Sequence, residues 1–255
     1  MTRALRVVGL WALLASMLGS AHALAPRSVA SDPAPEAHTG SAHMDLMSFL
    51  LQQVSDATLL RGYRVAILVT DGVDGFDLDI PLNFLSERGA SVQVIAARAP
   101  HVLKATGSGA VIAAKTTIAV LDPSGEERVS GFDRFVDQVR AADYDAIYLP
   151  GNRASTGGLA APQTLAFLQE AARTGKPIFA TGNAPLVLLA AGLLNGQRAT
   201  GDSATLLRLA SSPAIATDAA LVNAGAIHTS RDAFDMPALM DGLVNALLAK
   251  PAEAR

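Results

Sequence analysis

Short, wholly apolar runs, each ending in a turn, are the most regular pattern along the chain. Val65-Ala66-Ile67-Leu68-Val69 leads into Thr70-Asp71-Gly72. Val92 to Ala96 is a second run. Asp145 to Leu149 is a third, stopped by Pro150-Gly151, and Ile178-Phe179-Ala180-Thr181 is a fourth. A strand that is apolar on both faces belongs inside a parallel sheet covered on both sides. Between these runs the apolar positions take helical spacing. That predicts helices from about Asp77 to Arg88 before Gly89, over Phe132 to Ala142, over Thr164 to Thr174 before Gly175, over Pro185 to Ala191, and from about Ala233 to Ala249. Weaker strands are predicted near Leu221-Val222 and Ala226 to Thr229. Thr106-Gly107-Ser108-Gly109, between two apolar stretches, predicts a hairpin outside the main sheet. Strands alternating with helices predict an α/β three-layer sandwich, a mostly parallel sheet with helices on both faces. Such sheets bind ligands at the carboxyl ends of their strands. The turns Asp71 to Asp77, Pro150 to Gly158 and Thr181 to Pro185 are therefore the candidate site.

The chain's first residues follow another rule. Arg3 and Arg6 precede an apolar run from Val7 to Leu18, too short to span a bilayer, and Ala21-His22-Ala23 reads as a small-x-small cleavage site. Residues 1–23 are thus predicted to be a signal peptide, with an uncleaved anchor as the alternative, and a periplasmic or secreted location follows. Residues 24–43, rich in Ala, Pro, Ser and His, read as a linker in which His38 and His43 are bystanders. Leu46, Phe49, Leu50 and Val54 then recur at helical spacing. They predict an amphipathic helix over Met44 to Ala57, packed on the domain or on a partner, before a domain over 61–250 and a short tail over 251–255.

Composition narrows the chemistry. The formal net charge is −3 and no basic stripe appears, which argues against a nucleic-acid partner. No cysteine occurs, so disulfides, thiolate metal sites and thiol catalysis are all excluded. No G-x-G-x-x-G or Walker loop appears, so no nucleotide cofactor is expected. Asp71, Asp74, Asp77 and Asp79 crowd one loop, but their spacing does not match a calcium loop, and helix capping by Asp74 or Asp77 is the simpler reading. No metal or other cofactor is expected.

Four segments together carry a family resemblance. RVAILVTDGVDGFDLDIP (residues 64–81), DAIYLPG (145–151), GKPIFATGNAPLVLLAAGLLNGQRAT (175–200) and AIHTSR (226–231) resemble, in this order, motifs of the DJ-1/PfpI-like superfamily, the class I glutamine amidotransferase-like fold. The resemblance implies a flavodoxin-like domain and a possible homodimer. The DGVDG run most resembles the C-terminal domain of large-subunit catalases, which implies a link to oxidative stress. No haem-binding barrel accompanies it. Active members of the superfamily carry a cysteine and a histidine at the tip of a sharp strand-to-helix turn, the elbow, and here those positions are Gly182 and Asn183. The family's acid falls on Asp77. The donor that would help stabilise an oxyanion falls on Asn152, and the place of a second histidine falls near Gly201 and Asp202.

The resemblance thus implies a pocket lined by Asp77, Gly151, Asn152, Thr181, Gly182, Asn183, Asp202 and Arg231, with no confident catalytic residue. Thr181 also reads as a cap for the next helix, and Arg231 as an ion-pair partner of Asp232 or Asp235. Arg153 offers either a solvated cation or an anion contact. His228 is the histidine nearest a strand end. The leading expectation is a non-catalytic module that binds a small molecule or a protein. The alternatives are a hydrolase or lyase using Asp77 with Thr181 or water, and a structural protein that oligomerises.

Overall fold

The computed structural model describes residues 40–97, 117–122, 124–154 and 156–249. The signal peptide, most of the linker with His38, the hairpin at Thr106 to Gly109 and the tail lie outside the described residues.

The apolar runs form the centre of a seven-stranded sheet. β1 (Arg64–Val69) pairs in parallel with β3 (Ser91–Ala96) on one side and β7 (Ala146–Leu149) on the other. β8 (Ile178–Thr181) follows β7, and β12 (Ile227–Ser230) follows β8, both in parallel. β6 (Arg134–Phe135) closes one edge in parallel, and β11 (Leu221–Ala224) closes the other as an antiparallel strand, giving the order β11-β12-β8-β7-β1-β3-β6. Side chains alternate across this sheet. Val65, Ile67 and Val69 enter one core, with Tyr148 and Phe179, under α2 (Gly75–Glu87) and α6 (Met236–Leu248). Ala66, Leu68, Ile147 and Leu149 enter the other, under α3 (Pro162–Arg173) and α4 (Pro185–Ala190). The three-layer expectation therefore holds.

Two small sheets lie outside this one. β2 (Val73–Asp74) pairs with β4 (Thr117–Leu121), which forms a hairpin with β5 (Glu127–Gly131), and β9 (Arg198–Ala199) pairs with β10 (Ile215–Ala216). α5 (Ser203–Ala210), not anticipated from the sequence, sits between β9 and β10.

Two expectations need correction. Phe132 to Ala142 is no α-helix. It is the end of the hairpin segment, β6 and two single 3-10 turns at Val136–Gln138 and Ala141–Asp143. Its apolar residues are shared between the two cores: Phe132 and Phe135 pack on one side of the sheet, Val136 and Ala141 on the other. One helical stripe cannot face both. The N-terminal helix, α1 (Gly40–Leu51), also begins within the expected linker and stops short of Val54. It packs against α6 and the turn before it. Among the described residues no helix is long and apolar enough to cross a membrane.

Candidate functional site

The three turns singled out from the sequence meet above the carboxyl ends of β1, β7 and β8. The first supplies acids. Asp74 caps α2: its Oδ1 accepts the N–H groups of Phe76 at 2.9 Å and Asp77 at 3.3 Å, while Oδ2 forms an ion pair with Arg153 Nε. Arg153 is therefore engaged by a carboxylate rather than waiting for an anion. The other acids of this loop also have protein partners. Asp71 Oδ1 accepts the Ala119 N–H at 2.9 Å, and Asp79 pairs with Arg128 at 2.6 Å.

Asp77 sits in the first turn of α2 and is only 5% exposed. Its Oδ2 accepts the Gly151 N–H at 3.0 Å, but its Oδ1 is buried with no partner among the described residues. Burial, and secondarily the like charge of Asp74, push its carboxyl well above the usual carboxylate range. The Tyr148 hydroxyl donates to the Asp77 carbonyl at 2.9 Å and fixes the helix turn that carries the acid. Gly151 is required here, since a Cβ on it would lie 2.6 Å from Asp77 Oδ2.

The elbow follows β8. Gly182 has φ +63°, in the left-handed region that glycine takes without strain. Its N–H donates to the Ser230 carbonyl at 3.2 Å, and its carbonyl accepts the Asp202 N–H at 3.1 Å. A Cβ built on Gly182 would sit 3.8 Å from Asp77 Oδ2 and 3.5 Å from Gly151 Cα, with no clash. The acid thus faces the place where an elbow side chain would stand. The next residue closes the turn: Asn183 Nδ2 donates to the Asn152 carbonyl at 2.7 Å, and Asn183 Oδ1 accepts the Asn152 N–H at 2.9 Å. The Asn152 side chain is itself tied to the Asp71 carbonyl and the Ala154 N–H, each at 2.9 Å.

These residues floor a cavity of about 690 Å³. Asp77, Gly151, Asn152, Gly182, Asn183, Asp202 and Arg231 line it. Thr181 does not. It is completely buried beneath the elbow, its Oγ1 has no partner among the described residues, and it does not cap α4. Asp202 also caps α5, accepting the Thr205 N–H at 2.7 Å. Arg231 forms a two-pronged pair with Asp235 at 2.8 and 3.2 Å and reaches Asp218 at 3.4 Å. His228 lies elsewhere, stacked on Phe179 with centroids 4.3 Å apart.

The sequence reading missed the outer wall. His43, Met44, Leu46 and Met47 of α1 line the cavity together with Phe76, Ala233 and Phe234. His43 packs on the Phe234 ring at 4.4 Å rather than lying idle in a linker. The available signal was spacing: His43, Leu46, Met47 and Leu50 fall on one helical stripe.

A doubly covered parallel sheet with an acid facing a left-handed elbow defines an α/β elbow protein. The chain belongs to the DJ-1/PfpI family, whose match spans residues 63–246. It is 24% identical over 176 residues to Protein/nucleic acid deglycase 2 of Escherichia coli (strain K12), covering 69% of this chain and 92% of that one. Among solved structures it resembles a two-domain protein of Anabaena variabilis containing DJ-1/ThiJ/PfpI-like and ferritin-like domains. The identity there is 26% and the TM-score 0.61, over 75% of this chain and 51% of the other. A cysteine-to-alanine mutant of a DJ-1 superfamily protein from Salmonella typhimurium shares the fold at 24% identity and a TM-score of 0.58, over 74% of this chain and 92% of that one.

Proposed function

We propose that this protein is a family member without thiol chemistry, which binds a small molecule in the cavity between α1 and the strand ends. One observation carries this reading. The tip of the elbow is Gly182, with Asp77 facing an absent side chain, and the neighbouring donor, Asn152 N–H, is already occupied by Asn183. A nucleophile and a free donor for the developing oxyanion are what acyl-type chemistry at an elbow needs. Their joint loss argues against the activity named for the deglycase relative. A pocket of several hundred Å³ with a mainly apolar wall and a polar floor argues for binding instead.

The N-terminal pattern, with Arg3 and Arg6 before Val7 to Leu18, supports export to the periplasm or beyond. The catalase-like DGVDG motif supports a connection with oxidative stress, and the family resemblance supports self-association. A hydrolase or lyase working through Asp77 and a water is the second reading, favoured by the oxygen of that buried acid that has no partner among the described residues. Thr181, fully enclosed, offers it no nucleophile.

A melting-temperature screen against a small-molecule library tests the binding reading, since a ligand held only by the folded state raises Tm. Compounds that stabilise the wild type and not Phe234→Ala support it. A library that shifts neither protein, together with turnover of glycated substrates, contradicts it.

A further inference from the structure

We infer that Met44 and Met47 of α1 form a peroxide-reactive site beside the cavity, and that their oxidation to sulfoxides loosens α1 from the domain. The inference goes beyond the binding function proposed above and stands whether or not a ligand is found.

The described residues hold their methionines in two contrasting settings. Met236 and Met240 of α6 lie in the core with no exposed surface. Met44 and Met47, three residues apart on α1, line the cavity, where Met44 is 70% exposed and Met47 half-buried. Oxidation of a thioether needs an approach to the sulfur and room for one more oxygen. α1 offers both, and the core offers neither. In the reaction a sulfur lone pair attacks one oxygen of the peroxide. The S–O bond forms, the O–O bond breaks, and the departing hydroxide takes the proton from the new S–OH group and leaves as water. Sulfur loses two electrons and the peroxide gains them.

The consequence follows from how α1 is held. Leu46 enters the core, Phe49 stacks on Phe84 with centroids 5.0 Å apart, and His43 packs on the Phe234 ring at 4.4 Å. These are dispersion and ring contacts, each small by itself. The helix has twelve residues, a length at which packing rather than intrinsic propensity keeps it formed. It joins the body through residues 52–59, all exposed except the half-buried Val54. A thioether at Met47 suits an apolar contact surface, whereas a sulfoxide places a strong dipole there that water satisfies better than hydrocarbon. Turning that face toward water means lifting α1.

The test treats the full chain with hydrogen peroxide and maps the added oxygen by peptide mass. Trypsin leaves Met44 and Met47 in the peptide 28–61, and Met236 and Met240 in 232–255. Met44 should gain one oxygen first and Met47 next, while 232–255 stays unmodified. Equal uptake by the two peptides overturns the site. Hydrogen exchange then reads the docking. Amides of α1 should exchange about tenfold faster after oxidation, the weight of one apolar side-chain contact, with those of β1, β7 and β8 unchanged. Met47→Gln, similar in length but polar, should loosen α1 with no peroxide present. The double variant Met44→Leu/Met47→Leu keeps apolar volume and a good helix former, so its α1 should stay protected before and after peroxide. Loosening of α1 by peroxide in that double variant traces the effect to another residue and overturns the inference. Sulfoxides at Met44 and Met47 with α1 exchange unchanged overturn it too, as do α1 amides that exchange freely before any peroxide is added.

Discussion

The side chain of Asn183 lies against the backbone of Asn152 in a two-point amide pair, donating at 2.7 Å and accepting at 2.9 Å. This pair joins the elbow to the turn after β7 and occupies the Asn152 N–H, the donor to which the family resemblance gives an oxyanion role. Its removal should be felt in stability. Asn183→Ala strands one donor and one acceptor in a partly enclosed site and should cost about 1–2 kcal/mol. A domain of this size then loses roughly 2–8 °C in Tm. Differential scanning calorimetry checks this, and an unchanged Tm would mean that the pair carries no weight.

Gly182→Cys asks whether the elbow still has room for the family's side chain. No neighbour blocks the new Cβ, so the variant should fold. Its φ of +63° costs a non-glycine residue about 1–2 kcal/mol, a modest fall in Tm. The new thiol should take up a maleimide stoichiometrically by intact mass. It should not restore deglycation by itself, because Asn152 N–H remains occupied by Asn183.

Asp77 should make stability depend on pH in an unusual direction for a carboxylate. It faces Asp74, Asp232, Arg153, the Gly151 N–H and the turn held by the Tyr148 hydroxyl. Burial raises its folded affinity for a proton above the unfolded value, so the native state binds more protons than the unfolded one. The resulting stabilisation is fully present below the ordinary carboxylate range and is lost as pH rises through the raised folded value. Each unit of pH in that window removes up to about 1.4 kcal/mol. Urea unfolding across pH should therefore show the wild type weakening relative to Asp77→Asn as the solution becomes less acidic. A wild type that gains on the variant over the same range would contradict the assignment.

Arg231 should matter mainly as the partner of a buried acid. Asp235 is only 7% exposed and takes both prongs of the guanidinium. Arg231→Ala leaves that carboxylate without its cation, at a cost of about 1–3 kcal/mol after allowance for the partly exposed arginine. Arg231→Lys should recover little of this, since an ammonium cannot make the fork. Chemical denaturation of the two variants decides it.

Much of this architecture was legible in the sequence, for reasons visible in single segments. Val65 to Val69 is apolar on both faces because helices cover both sides of β1. The turn could be placed because Ile178 to Thr181 reads as a strand and Pro185 as a helix start, and the family resemblance of residues 175–200 marked it as the elbow. Phe132 to Ala142 misled because periodicity measures spacing and not which core each residue joins. Phe135 and Val136, adjacent in sequence, go to opposite sides of the sheet. Thr181 misled because the strand end that carries it dives under the elbow. The Asn183–Asn152 pair was illegible because it joins a side chain to a backbone that sequence spacing does not bring together. The outer wall of the cavity was hidden for a similar reason. α1 was recognisable as a helix, but nothing in its own pattern named the surface it covers.

Turnover of a methylglyoxal-glycated substrate by the purified wild-type chain, compared with Asp77→Ala and with buffer, tests the central claim most directly. With Gly182 at the elbow and no cysteine in the chain, the wild type should release adduct no faster than the other two. Robust release that Asp77→Ala abolishes would show that this pocket still performs chemistry, and would contradict the account.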